Sequence, residues 1–435
     1  MNIKDLYHLY LQSAGLNTDT RTIREGQLFL ALKGENFDGN SFALQALEAG
    51  AAYAVVNDTL PSDDPRLIKV PDTLATLQEL AAFHRAQFDI PVIGLTGTNG
   101  KTTTKELIKA VLSARYKVTA TEGNLNNDIG VPLSVLKINA DTQIAIIEMG
   151  ASHPDDLKPL LAVSQPTHGL ITNVGKAHLL GFGSFEGVKY AKGQLYDYLK
   201  AHEGIAFANA DDPVLQEMLW ERGLSMIPYG MEGWELLPTS AGEPFLQLRR
   251  ADGRLLKTSL VGAYNANNVL AALKIGWFFG VPEDDALAAV SAYLPSNNRS
   301  QLMKTERNTV IVDAYNANPS SMAVALDNLA HCAGRKVALL GDMRELGADS
   351  AVEHRKIVER ILSCHSEPSC HSERSEESVL LVGEEFTRAA AGTGIRCFAT
   401  SDDLAAYLQE NPLQGCTVLV KGSRGIRMEK VIALL

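Results

Sequence analysis

Apolar positions fall in short runs separated by stretches of helical spacing, and this alternation organises the whole chain. Up to about residue 84, residues 27–32 and 51–56 read as short buried strands, with helical spacing across 42–49 between them. A small mixed α/β unit fits that pattern. From residue 90 the alternation strengthens. Apolar runs at 91–95, 144–147, 169–172 and 205–208, joined in part by amphipathic stretches, predict a mainly parallel sheet with helices on both faces. Residues 234–261 break the rhythm: alternating pieces such as Phe245-Leu246-Gln247-Leu248, with a turn at Ala251-Asp252-Gly253, predict a small antiparallel excursion. The most apolar stretch, 269–281, is too short for a bilayer and carries Lys274, so it reads as a buried helix. Pro295-Ser296-Asn297-Asn298 has turn composition, and beyond it runs at 310–312, 337–340, 379–382 and 417–420 predict a separately wound α/β unit. The expected units are 1–85, 86–299 and 300–435.

Composition narrows the functional classes. The 435 residues suit two to four domains, and 46% hydrophobic with 21% charged residues is a globular balance. Lysine and arginine total 40 against 51 acids, a net charge of −11. That argues against general nucleic-acid binding but not against a small anion held in a local basic pocket. No apolar segment follows Met1-Asn2-Ile3-Lys4-Asp5, so neither a signal peptide nor a membrane span is expected. Cys332, Cys364, Cys370, Cys397 and Cys416 are odd in number and scattered, unlike a disulfide framework, and the chain reads as cytoplasmic. Residues 363–378 repeat Cys-His-Ser-Glu without zinc-finger spacing and read as a low-complexity solvated loop with no chemistry.

The strongest chemical signal is the apolar strand that runs into Thr96-Gly97-Thr98-Asn99-Gly100-Lys101-Thr102-Thr103 and then into a helix. Glycines let backbone N–H groups close around phosphate oxygens, and the helix N-terminus adds partial positive charge. Lys101 would neutralise the terminal phosphates and Thr102 would offer a hydroxyl to Mg²⁺. Leu95 occupies the place of the first glycine in the strict phosphate-loop pattern, yet the strand and helix on either side support a nucleotide triphosphate site. Glu148 closes the run 144–147, where a carboxylate would reach a phosphate-bound Mg²⁺. On residues alone, His178 reads as structural, Lys192 as a surface charge, and Asn265 and Asn268 as caps ahead of the apolar run from Val269.

Taken together these stretches resemble the Mur ligase family. The likeness rests on the phosphate loop, Glu148-Met149-Gly150-Ala151, the run from Asn173 to Gly193, and Asn265-Ala266-Asn267-Asn268. It continues through Asp313-Ala314-Tyr315-Asn316-Ala317-Asn318-Pro319, Gly341-Asp342-Met343 with Glu345-Leu346-Gly347, and Lys421-Gly422-Ser423-Arg424-Gly425. It covers nearly the whole chain apart from 363–378. It implies a UDP-sugar domain, a central ATP-binding domain and a Rossmann-like third domain that closes over both. Asp19-Thr20-Arg21 and Lys33 would belong to the first of these, and Asn126 and Asn127 to a loop that meets the muramoyl peptide. Lys101, Glu148, His178 and Lys192 would be catalytic, with Thr102, Glu148, His178 and Lys192, the last as a carbamate, holding Mg²⁺. Asn265 and Asn268 would contact the adenine end of ATP, while Arg299 and Asp313 would close over the nucleotide. Tyr264 stands where the family commonly has His, and Asn298 where Gly often precedes the arginine.

The 313–319 stretch and the 341–347 pair point, within the family, to an enzyme that adds D-alanyl-D-alanine to UDP-N-acetylmuramoyl-tripeptide with ATP, and the resemblance to a usually monomeric family implies a monomer. Tyr315 and Asn316 would then serve the substrate. Another step of the same family, folylpolyglutamate synthesis, or an ATP-hydrolysing switch are the alternatives.

Overall fold

The structure, a computed structural model, describes the chain except residues 35–36, 59, 61, 239–244, 296–300, 333 and 365–377. Four parallel strands in the order Leu16–Asn17, Leu28–Leu30, Tyr53–Asn57 and Leu67–Val70 build the N-terminal unit. Its closing helix, Thr73–Arg85, carries Leu77, Leu80 and Ala81 into a core that runs on without a break into one face of the central sheet. Arg85 seals the junction: its guanidinium is buried and donates to the carbonyls of Phe88 at 2.6 Å and Ser164 at 3.3 Å.

The central sheet is wholly parallel. Its order is Met226–Tyr229, Ile205–Asn209, His168–Ile171, Val92–Thr96, Ile144–Glu148 and Val118–Ala120. Val92–Thr96 and Ile144–Glu148 are buried at every position, which explains why they appear as unbroken apolar runs rather than as alternation. The first strand of this sheet in the chain lies between later ones, so its carboxyl end opens at a point where strand order reverses. Such a point leaves a crevice between loops that diverge to opposite faces. The antiparallel excursion is present as Trp234–Leu236, Phe245–Arg250 and Leu255–Val261.

The predicted helix 269–281 is shifted. It spans Asn265–Phe278, so Asn265 and Asn268 lie within its first turn rather than ahead of it. Tyr264 is its N-cap residue and no side chain caps it, which corrects the capping role read for the two asparagines. The apolar face of the helix begins later because its first turn is spent on polar contacts.

In the third unit the order is Gln301–Lys304, Thr309–Asp313, Cys416–Lys421, Arg335–Gly341, Val379–Val382 and Arg396–Phe398. Only the first of these runs antiparallel to its neighbour. Helix Ser350–Cys364 leads to the edge of residues 365–377, so the solvated-loop reading of 363–378 lies almost wholly outside the described residues. Among those residues, no helix is long and apolar enough to cross a membrane.

Candidate functional site

The chain leaves strand Val92–Thr96 through Gly97 and reaches helix Lys101–Ser113 through Gly100. Gly100 has φ +78°, and no side chain caps the helix that follows, so its leading N–H groups can serve an anion. Glycine is required at Gly97 on space as well: a Cβ there would lie 2.0 Å from Thr172 Oγ1. The loop is stitched to the end of the neighbouring strand. Asn99 N–H donates to Asn173 Oδ1 at 3.0 Å, and Asn173 Nδ2 donates back to the Asn99 carbonyl at 3.0 Å. Thr172 Oγ1 donates to the same carbonyl at 2.7 Å, and Gly175 N–H donates to Thr98 Oγ1 at 2.9 Å. Asn173→Ala removes the reciprocal pair. Steady-state kinetics should show KM for the nucleotide rising about tenfold, the worth of one or two hydrogen bonds, with a smaller change in kcat. An unchanged KM would mean that the loop holds its own shape.

Glu148, only 1% exposed, ends the adjacent strand. Thr102 Oγ1 donates to its carboxylate at 3.0 Å, and Asn126 Nδ2 donates at 2.9 Å. A hydroxyl and a carboxylate are hard oxygen donors, the set that suits Mg²⁺, an ion that keeps waters and phosphate oxygens for its remaining positions. Among the described residues no three His, Cys, Asp or Glu side chains converge on a metal position, so phosphate oxygens would have to complete this one.

Lys192 faces inward from helix Phe185–Ala201 and is 2% exposed, which overturns the surface reading. Its amine donates to the Ala151 carbonyl at 3.4 Å and stands 5.5 Å from the centre of the Phe182 ring. Burial, reinforced by the charge of Lys101, holds its pKa well below the usual lysine range. His178 has φ +51° and leads into the short helix Leu179–Phe182. Its Nδ1 lies 2.5 Å from Glu345 Oε2 of the third unit, and that hydrogen bond holds the Glu345 carboxyl below its ordinary range.

On the other side of the loop, Thr104 Oγ1 donates to Asn268 Oδ1 at 3.0 Å, and Asn268 Nδ2 donates to Asn265 Oδ1 at 2.8 Å. Asn265 in turn donates to the Val261 carbonyl at 2.8 Å. The third unit reaches in from strand ends of its own. Lys421, buried, pairs with Asp313 at 2.5 Å and donates to the Asn316 carbonyl at 3.2 Å. Asn318, the cap of helix Pro319–His331, donates to Asn99 Oδ1 at 2.8 Å and so touches the phosphate loop itself.

These groups surround one cleft of about 1150 Å³. Thr98, Asn99, Gly100, Lys101, Thr102, Thr103, Asn126, Asn127, Glu148, His178, Asn265, Asn268, Asp313, Tyr315 and Asn316 all line it. Thr96 lies buried in the strand below, and Lys192 lies behind Ala151, which does line the cleft. Asp19, Thr20, Arg21 and Lys33 are not brought there. Asp19 and Arg21 pair with each other at the surface, and the Lys33 backbone forms an isolated antiparallel β-bridge with that of Asp38. Arg299 lies outside the described residues.

Sequence reasoning missed Gln78, Lys421 and the segment bearing Ser152, His153, Asp155 and Asp156, all of which line the cleft. A lysine ending an apolar strand was a usable signal for Lys421, since a buried lysine needs a partner. Nothing marked the other segment. There, burial would push the Asp156 carboxyl up, but the N–H groups of Ser152 and His153 outweigh it and hold it below its ordinary range.

Comparison with known proteins matches three family models to the chain. Residues 13–85 match the Mur ligase family catalytic domain, 95–276 the Mur ligase middle domain, and 298–424 the Mur ligase glutamate ligase domain. The UDP-N-acetylmuramoyl-tripeptide–D-alanyl-D-alanine ligase of Bacillus subtilis is 34% identical over 434 residues, covering 96% of this chain and 92% of that one. The Escherichia coli enzyme of the same name is 34% identical over 456 residues, covering 100% and 97%. Among solved structures, MurF ligase from Thermotoga maritima in complex with ADP superposes with a TM-score of 0.83 at 27% identity, covering 98% and 97%. MurF from Acinetobacter baumannii superposes with a TM-score of 0.82 at 31% identity, covering 96% and 92%.

Proposed function

The chain belongs to the Mur ligase family, and on that footing we propose that it joins D-alanyl-D-alanine to UDP-N-acetylmuramoyl-tripeptide at the expense of ATP. One observation carries this reading. The carboxyl ends of the parallel strands of two separate sheets, the wholly parallel central one and the mainly parallel third, face a single cleft with a phosphate loop between them. A nucleotide held by the first sheet can therefore meet an acceptor presented by the second.

A peptide carboxylate is a poor electrophile at neutral pH. Its oxygen attacks the γ-phosphorus of ATP, ADP leaves, and an acyl phosphate forms. The dipeptide amine then attacks the carbonyl carbon, inorganic phosphate departs, and the amine gives up its proton. Negative charge develops in both steps, so positioned cations and N–H donors do most of the work. Lys101 and the leading N–H groups of its helix would cradle the terminal phosphates, while Asn265 and Asn268 would face the adenine end. Thr102 and Glu148, with His178 and a carbamylated Lys192 at a second position, would hold Mg²⁺, which supplies charge neutralisation on the transferring phosphoryl group. Asp313, Tyr315 and Asn316 of the third unit would close on nucleotide and dipeptide, and Arg299 is assigned there by resemblance. The N-terminal unit would take the UDP-sugar through Asp19, Thr20, Arg21 and Lys33, and Asn126 and Asn127 would meet the muramoyl peptide. We assign residues 1–85, 86–299 and 300–435 to these three tasks, and the reaction to the cytoplasm.

The test is phosphate release from ATP with UDP-muramoyl tripeptide and D-alanyl-D-alanine supplied separately and together. Release should require both, with the UDP-muramoyl pentapeptide appearing by mass. Release with neither present would indicate an ATP-hydrolysing switch. Release with a different amino acid would move the protein to another step of the family.

A further inference from the structure

His178 sits at the edge of the cleft, yet the group that orients it comes from another part of the chain. Glu345 belongs to the third unit, in the loop that follows strand Arg335–Gly341. Its carboxylate can only accept, so at 2.5 Å from Nδ1 it requires the proton on that nitrogen. In the neutral imidazole Nε2 is then left with the lone pair, the form in which histidine serves as a ligand. The same residue makes a second contact across the interface: its carbonyl accepts from Leu180 N–H at 3.2 Å.

The position of Glu345 is tightly specified. It stands at φ +68°, a conformation that side-chain-bearing residues rarely adopt. The two residues before it are each held through their N–H by a side chain of the third unit. His354 Nε2 accepts from Met343 N–H at 2.9 Å, and Ser423 Oγ accepts from Arg344 N–H at 2.9 Å. Both His354 and Ser423 are buried. On the facing side His178 is itself in the left-handed region, and Lys176 two residues earlier pairs with Glu353 of the third unit at 3.1 Å. Two backbone outliers meeting through one short contact, braced on both sides, is more order than an incidental surface pair requires.

We propose that Glu345 is a positioning residue for His178, setting its tautomer and ring orientation from across the interface, so that docking of the third unit and completion of the second metal position are one event. The physical basis is the carboxylate–histidine arrangement, in which an outer carboxylate fixes the ring and raises its basicity, and whose loss costs about tenfold to a hundredfold in metal affinity. Here that outer group is carried by a different unit from the ligand, so the site is fully oriented only when the third unit is docked. The inference rests on reading His178 as a group at the second metal position.

The test uses the full-length chain as Glu345→Ala, Glu345→Gln, Glu345→Asp and His178→Ala variants, with thermal unfolding as the check on folding. Two readouts are taken: the Mg²⁺ concentration giving half-maximal phosphate release, and imidazole nitrogen spectra of histidine-labelled protein with ADP and Mg²⁺. Glu345→Ala should raise the Mg²⁺ requirement about tenfold or more and abolish the protonated-Nδ1 signal of His178. Glu345→Asp should recover part of both effects and Glu345→Gln less, because an amide can accept the proton but carries no charge. The double variant Glu345→Ala with His178→Ala should be no worse than His178→Ala alone. If His178→Ala raises the Mg²⁺ requirement while Glu345→Ala leaves both readouts as in the wild type, the proposal fails and the metal role of His178 stands. If His178→Ala itself leaves the Mg²⁺ requirement unchanged, the underlying reading fails and the proposal goes with it.

Discussion

Lys101→Ala should reduce ATP-dependent ligation by about a thousandfold or more, roughly 4 kcal/mol of transition-state stabilisation, while leaving the fold intact. The two halves of this expectation come from the same geometry. The Lys101 amine donates to the carbonyls of its own loop, Gly97 at 2.8 Å and Thr98 at 3.2 Å. These are contacts a partly exposed amine can exchange for water, so their loss should cost stability only on the order of 1 kcal/mol. The loop's shape is held instead by Asn173, Thr172 and Gly175. Negative charge on a transferring phosphoryl group has no comparable substitute, because Lys421 is already committed to Asp313. Single-turnover ADP formation, with thermal unfolding as the control, checks both halves. A variant that keeps activity within tenfold of wild type would remove Lys101 from the phosphate site.

Lys192→Ala should cost about a hundredfold or more in rate, and the wild-type enzyme should lose activity when carbon dioxide is stripped from the buffer. A lysine amine that is 2% exposed, with a single carbonyl at 3.4 Å and no carboxylate within ion-pairing distance among the described residues, is an expensive thing to bury. As a cation it would also stand in the field of Lys101, and both effects favour the neutral amine. A neutral amine attacks carbon dioxide, forming an N–C bond and releasing one proton. The product is an anionic oxygen donor on the same side chain. The sign of the charge is thereby inverted at the place where a divalent cation and a polyphosphate would otherwise face two lysines. Intact mass under native conditions should show the added carbon dioxide, absent in Lys192→Ala. Lys192→Arg cannot make the adduct and should be as poor as alanine. If it is as active as wild type, the site needs a cation and the carbamate assignment is wrong.

The parallel sheets were legible because their central strands are buried on both faces. Runs such as 91–95, 144–147 and 417–420 can then be little other than interior strands. Short edge strands were not legible. Leu67–Val70 and Gln301–Lys304 carry exposed or half-buried residues, and pairing rather than composition defines them. The start of helix Asn265–Phe278 was misplaced for a related reason: its first turn spends Asn265 and Asn268 on Val261, Thr104 and each other, so no apolar stripe marks it.

The chemistry divides in the same way. A phosphate loop is a local device, with glycines, lysine and threonine adjacent in the chain between a strand and a helix, and adjacency alone was enough to find it. Glu148 was placed by the strand it ends. The inward face of Lys192, the grip of Asn173 on Asn99, and the reach of Glu345 and Asn318 from the third unit are long-range facts. Sequence spacing carries no information about them, because whether a polar side chain meets solvent or a partner is decided by the elements packed against it. The sequence by itself determined the buried interior strands and the loop that would hold a nucleotide; only the tertiary structure, by pairing the edge strands and folding two sheets so that their carboxyl ends share one cleft, decided which distant residues complete the site.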